Sequence, residues 1–90
     1  MVVSFPFKQE EKEGYLLREF KQSVDSEELI WHRDKKDRLV EVIKSHNWMI
    51  QLDNQLPIRL EEGKKYFIPK EVYHRVHKGD GNLVVKIYEN

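Results

Sequence analysis

Short hydrophobic runs rich in β-branched and aromatic residues recur along the chain, separated by polar, turn-forming residues. The breaks fall about every 8–12 residues, a spacing typical of short strands in an all-β sandwich or barrel. Asp80-Gly81, between the last two runs, has the sequence of a tight hairpin turn. We therefore predict an all-β chain. The predicted strands are Tyr15–Phe20, Leu29–His32, Leu39–Ile43, Trp48–Leu52, Ile58–Leu60, Tyr66–Ile68, Val72–Val76 and Leu83–Tyr88.

The stretch from Glu27 to Ser45 is the one place where a helix competes with strands, because it contains good helix formers. A buried helix needs an apolar residue every three or four positions. His32 to Arg38 is instead a run of seven polar or charged residues. A hairpin turn fits this run better than two helical turns without a core contact, so we expect at most one helical turn in the chain.

Size and charge limit the function further. Ninety residues with a mass of 10.9 kDa make one small domain with a single core, which we assign to residues 1–90. Sixteen basic residues balance sixteen acidic ones, so the basic surplus that neutralises phosphates is missing and nucleic acid is not expected as a partner. The lack of cysteine excludes thiolate chemistry and suits the cytoplasm. No apolar run approaches the roughly 20 residues of a membrane span, so we expect no membrane partner.

Alternation along the predicted strands places a few polar side chains on faces that are otherwise apolar. Burying such groups without partners costs roughly 1–3 kcal/mol each, which makes them the informative residues of this chain. They are His32, Asp34, Arg38 and His74.

Two sequence motifs resemble those of the cupins, small RmlC-like β-barrels of the jelly-roll kind. The second cupin motif, G-x5-P-x-G-x2-H-x3-N, is matched by Gly63, Pro69 and His74, while Glu71 replaces its second Gly and Lys78 its Asn. The first motif, G-x5-H-x-H-x(3,4)-E-x6-G, is more altered. Its two histidines, glutamate and closing glycine correspond to His32, Asp34, Arg38 and Ser45. The resemblance covers about residues 27–90 and implies a cupin-type jelly-roll β-barrel.

The resemblance also implies a ligand set. Cupins typically hold one divalent metal, such as Fe, Mn, Ni or Zn, with three histidines and a glutamate from these positions. Carried over to this chain, the metal ligands would be His32, Asp34 and His74, which is a two-histidine, one-carboxylate set. Arg38 stands where the glutamate ligand would be and would bind a small polar or anionic molecule. Gln51, on a strand that often lines the cupin pocket, is a second candidate for ligand binding.

The residues leave two other functions open. Asp34 and Arg38 could form an ion pair that occupies the metal position, since a guanidinium opposes a dication. A histidine paired with Asp34 would then act as a general base in a metal-free cupin of the sugar isomerase or epimerase type. Alternatively, the barrel could be a non-catalytic ligand-binding or assembly module. The sequence therefore does not decide whether the protein is an enzyme.

The N-terminal residues 1–13 indicate a second copy of the chain as a partner. The apolar segment from Val2 to Phe7 is separated from the predicted barrel by the charged run Lys8–Glu13. Open sheet edges must be covered or blunted, and such an arm could pair with the sheet of a second copy. We therefore expect a homodimer.

Overall fold

The computed structural model describes residues 5–90 and consists of short antiparallel strands with one turn of 3₁₀ helix. The helical turn, Ser26–Glu28, is capped at its N-terminus by the side chain of Asp25. The strands are β1 (Lys8–Lys12), β2 (Tyr15–Phe20), β3 (Arg38–Lys44), β4 (Met49–Leu52), β5 (Ile58–Arg59), β6 (Lys65–Ile68), β7 (His74–His77) and β8 (Leu83–Glu89). The all-β prediction, with at most one helical turn, is confirmed for this part of the chain.

The strands form two sheets. The larger one has five strands in the order β1-β2-β8-β3-β6, and the smaller one has three in the order β5-β4-β7. All of these pairings are antiparallel. Because side chains alternate between the faces of a strand, each sheet can bury one face against the other and leave the second face in solvent.

The core lies between the two inner faces. Trp48 is fully buried at its centre, and its indole N–H donates to the Gly81 carbonyl oxygen at 3.2 Å. The strand β8 shows the expected period of two, with every second residue buried. The buried apolar residues are Phe20, Val24, Leu29, Val40, Val42, Trp48, Ile50, Leu60, Ile68, Leu83, Val85 and Ile87.

Two segments differ from the predicted strands. The predicted strand Leu29–His32 is wrong: within it, His32 alone is paired, through an isolated bridge to His74. The 3₁₀ turn Ser26–Glu28 lies directly before this segment, so the chain does not enter it as a strand. Conversely, β1 was not predicted, because all five of its residues are exposed and it therefore shows no hydrophobic alternation.

The N-terminal segment also differs from its prediction. Instead of separating an arm from the barrel, Lys8–Lys12 pairs with β2 of its own chain. Phe7 packs edge-on against Phe20, with ring centroids 5.4 Å apart, so this residue joins the chain's own core. The remaining arm residues 1–4 lie outside the described residues. Within residues 5–90, no helix is long and apolar enough to span a membrane.

Candidate metal and ligand site

His32 and His74 form the base of the candidate site, and an isolated antiparallel bridge brings them together. The His32 N–H donates to the His74 carbonyl oxygen at 3.0 Å, and the His74 N–H donates back at 2.8 Å. Directly opposite residues of such a pair project their side chains on the same side. The two imidazoles accordingly lie with ring centroids 4.3 Å apart.

Backbone carbonyls determine which nitrogen of each imidazole faces the site. His32 Nδ1 lies 3.1 Å from the Ile30 carbonyl oxygen, and His74 Nδ1 lies 2.9 Å from that of Val72. A carbonyl oxygen can only accept, so each Nδ1 must carry a proton. In the neutral imidazoles the Nε2 atoms therefore present lone pairs, the arrangement in which metal-binding histidines are usually held.

Asp34 adds a carboxylate to the two imidazoles because it lies two residues beyond His32. Its Oδ2 is 3.2 Å from His74 Nε2, and its Oδ1 is 4.0 Å from His32 Nε2. Candidate ligand atoms of all three residues lie within 4.8 Å of one another. Asp34 Oδ2 is buried and has no hydrogen-bond partner among the described residues, since the close approach of His74 does not have hydrogen-bond geometry.

This donor set fits a cation. Two neutral imidazole lone pairs and a carboxylate oxygen all face the same small volume, and three acceptors repel one another unless a positive charge lies between them. A divalent metal supplies that charge, and two histidines with one carboxylate are a common ligand set for iron. A proton on His74 Nε2 would supply it as well. The residues therefore fit the metal that the cupin resemblance implies.

Arg38 holds the carboxylate of Asp34 from the other side. Its Nη1 is 3.2 Å from Asp34 Oδ1, and its Nε donates to Glu89 Oε2 at 2.8 Å. Burial tends to raise the pKa of Asp34, but His74 and the Arg38 charge outweigh it and leave that pKa below its ordinary value. Asp34 is therefore a carboxylate at neutral pH. The ion pair leaves Oδ2 facing His74.

The two histidines differ in their surroundings. The side chain of His74 is 4% exposed, whereas that of His32 is 44% exposed. Burial lowers the pKa of His32 by disfavouring the imidazolium, against the opposing effect of its hydrogen bond to Ile30. A lowered pKa keeps His32 neutral, and so able to act as a ligand, at physiological pH.

The site opens into a cavity of about 580 Å³ inside the barrel. Most of its wall is apolar, and His32, Asp34, His74 and Arg38 contribute a polar patch. Ligand pockets in proteins commonly have volumes of about 300–1,000 Å³ and combine apolar walls with a few polar groups. The apolar wall residues include Val40, Ile50, Leu60, Ile68, Leu83, Val85 and Ile87.

Gln51 is the one predicted site residue that the structure does not bring to this cavity. Ile50 lines the cavity, so its neighbour Gln51 points to the opposite face of β4. There its Oε1 lies 2.8 Å from His77 Nε2, and its amide donates to the Gln55 carbonyl oxygen at 2.9 Å. The pairing with His77 shows that this histidine also lies outside the candidate site.

Sequence reasoning missed three charged residues of the site, one of which, Glu28, lines the cavity from the end of the 3₁₀ turn. Glu89 is the second partner of Arg38, and it comes from the far end of the chain, where strand alternation alone could not relate it to Arg38. Arg18 lines the cavity from β2. The pattern did contain a clue to it, since Leu16, Arg18 and Phe20 share one face of the strand and only the arginine is charged.

The backbone supports the alignment with the second cupin motif. Gly63 has φ of 82° and Glu71 has φ of 63°, so both positions adopt the left-handed conformation that favours glycine. Glu71 stands where the motif has its second glycine, and its side chain lies 3.4 Å from Arg33. Glu71 therefore has a backbone conformation that would suit the glycine found at this position of the motif.

Comparison with solved structures shows the cupin fold. The chain is similar to a cupin-2 domain protein from Shewanella frigidimarina, with 23% identity over 100% of this chain and 85% of that one and a TM-score of 0.67. It is similar to KdgF from Halomonas sp., with 16% identity, coverage of 98% and 94%, and a TM-score of 0.63.

A cupin domain from Bordetella pertussis gives the same result, with 18% identity, coverage of 100% and 99%, and a TM-score of 0.60. No protein-family model and no curated protein matches the chain. The predicted cupin-type jelly-roll fold is thus confirmed by structure, at sequence identities that establish the fold alone.

Proposed function

We propose that this protein binds a divalent metal ion through His32, Asp34 and His74 and a small polar or anionic molecule in the adjoining cavity. The observation that carries the proposal is the carboxylate of Asp34, whose buried Oδ2 lies 3.2 Å from His74 Nε2 without hydrogen-bond geometry and whose Oδ1 lies 4.0 Å from His32 Nε2. Iron, manganese, nickel and zinc all accept imidazole and carboxylate ligands.

Each residue would have a distinct part in such a site. A bound metal would supply Lewis acidity towards an oxygen of the ligand. His74 would be the fixed ligand, because it is buried and its ring is held by Val72. His32, the more exposed histidine, would border the entry side. Arg38 would hold Asp34 in place and could contact an anion with donors that Asp34 and Glu89 do not use.

A metal-free function is the second candidate, favoured by the 3.2 Å separation of Asp34 and His74. In that arrangement a proton on His74 Nε2 would replace the metal, and Asp34 would stabilise the imidazolium. The pair could then exchange a proton with a ligand in the cavity, as isomerases and epimerases require. Saturation of the pocket by a ligand without any metal would favour this candidate. Ligand binding without turnover would instead favour a non-catalytic module.

Titration of the metal-free protein tests the proposal. We expect zinc, manganese, nickel or ferrous ion to bind with a stoichiometry of one per chain and micromolar or tighter affinity, measured by calorimetry. The affinity should fall between about pH 8 and pH 5.5, because free histidine takes up a proton in the mid-6 range and protons compete with the metal for imidazole nitrogens. The lowered pKa of His32 places its own contribution in the lower part of that range. An isotherm that does not change with pH would contradict imidazole ligands.

We also propose a cytoplasmic homodimer. The half-buried residues Tyr15, Tyr88 and Leu39 and the exposed Phe67 stand next to one another across β2, β8, β3 and β6, on the outer face of the larger sheet. Phe67 is 57% exposed on the edge strand. Light scattering should give twice the 10.9 kDa mass of the chain, and Phe67→Asp should shift the mass towards the monomer. A monomeric wild-type protein at high micromolar concentration would refute the dimer.

A further inference from the structure

Arg18 is a charged residue on the inner face of the larger sheet. In the pairing of β2 with β8 it stands directly opposite Val85, which is buried, and both residues line the cavity. Its neighbours on the same face of β2 are Leu16 and Phe20. Placing a guanidinium on such a face is unfavourable unless its charge has a counter-ion.

The described partners of Arg18 are neutral. Its Nε and Nη2 donate to Gln9 Oε1 at 2.9 and 2.6 Å, and its guanidinium carbon lies 3.8 Å from the centre of the Phe7 ring. Within residues 5–90, no carboxylate oxygen lies within 4.0 Å of it. A guanidinium has five N–H donors, so three remain without a described partner.

Arg38, the other arginine of the cavity wall, is in the opposite situation. Asp34 and Glu89 both form ion pairs with it, at 3.2 and 2.8 Å, so its charge is already balanced. Burial, together with the positive charge of Arg38, lowers the pKa of Arg18 to about 10, which leaves it protonated at neutral pH. An anion that enters the cavity would therefore gain more from Arg18 than from Arg38.

The rest of the cavity restricts the kind of anion. Its walls are mostly aliphatic, and Glu28 adds negative charge beside the Asp34 carboxylate, which is paired with Arg38. One guanidinium without a carboxylate in ion-pair contact matches a single negative charge, whereas a phosphate dianion would meet too little positive charge. A planar carboxylate also suits the paired donors of a guanidinium.

We propose that Arg18 is the anchor for the carboxylate of a small amphipathic acid whose apolar part occupies the interior of the barrel. The inference rests on the proposed function only in placing the ligand in the cavity beside His32, Asp34 and His74. It names a class of ligand and a binding residue that the cupin motifs do not contain.

Hexanoate and hexanol are suitable probes, because they share an apolar chain and differ in charge. We expect hexanoate to bind the wild-type protein at least about 10-fold more tightly than hexanol, by calorimetry or by the rise in melting temperature, since hydrogen bonds to charged groups are the stronger ones. Arg18→Met should remove this preference by weakening the binding of hexanoate. Arg59→Met, which removes an exposed arginine from β5, should leave both unchanged. Arg18→Gln serves as a second uncharged variant if Arg18→Met does not fold.

Zinc titration of the same proteins separates this inference from the proposed function. Arg18→Met should bind zinc at least as tightly as the wild type, because Arg18 does not contact His32, Asp34 or His74 and its positive charge opposes that of the ion. Equal binding of hexanoate to the wild type and to an uncharged Arg18 variant would overturn the inference while leaving the metal site intact. The same holds if the wild type binds zinc but not hexanoate at millimolar concentration. Loss of zinc binding in the wild type would count against the proposed function instead.

Discussion

Replacement of His74 by alanine should lower the affinity for zinc by on the order of 100-fold or more. Side chains that only orient a metal ligand already cost about 10–100-fold when removed, and His74 would be a ligand itself. It is also the buried member of the group, so water cannot easily take its place. The measurement is a calorimetric zinc titration of the folded variant, with its melting temperature recorded in a chelator.

His77→Ala is the matched control, because His77 lies on the same strand but faces away from the cavity and contacts Gln51. This variant should keep the zinc affinity of the wild type. If His77→Ala loses zinc binding as His74→Ala does, or if neither variant changes it, the assignment of the ligands to the cavity side of β7 is wrong.

Trp48→Ala should have the largest effect on stability, lowering the free energy of unfolding by about 3–5 kcal/mol. The side chain is fully buried between the sheets, with Phe20 at 5.9 Å between ring centroids. Its removal leaves a cavity in the core and also an acceptor at Gly81 without its donor. Urea unfolding of the two proteins measures the difference, provided that the slope with denaturant is unchanged.

The second tryptophan of the chain supplies the comparison. Trp31 is 40% exposed and lies outside the strands, with the Arg75 guanidinium 5.9 Å from its ring centre. Trp31→Ala should therefore cost less than about 1 kcal/mol. Similar losses in the free energy of unfolding for the two substitutions would mean that Trp48 is not the tryptophan buried between the sheets.

The fold was predictable where one strand face is buried and the other is not. In β8, buried and half-buried residues alternate, and this period of two is visible in the sequence. The strand β1 carries no such pattern, since hydrogen bonding to β2 rather than burial holds it in place. The strand predicted around Ile30 was wrong for the opposite reason. Apolar residues near the mouth of the cavity resemble a strand in sequence without forming one.

The candidate site could be predicted only as far as the motif reached. His32, Asp34 and His74 follow from their motif positions, and the structure does bring them together. Arg18 and Glu89 could not be found in this way, because sheet pairing between distant segments places them at the site. For Gln51 the strand was predicted correctly but the face was not, because Ile50 lies on the face that reaches the cavity.

Elemental analysis of protein purified without an affinity tag or chelator is the most direct test of the metal site. The proposal predicts close to one equivalent of iron, manganese, nickel or zinc per chain in the wild type. It also predicts little or none in His74→Ala purified in parallel. A wild-type protein without metal that also binds none of these ions at millimolar concentration would contradict the proposal and leave Asp34 and His74 as a proton-sharing pair.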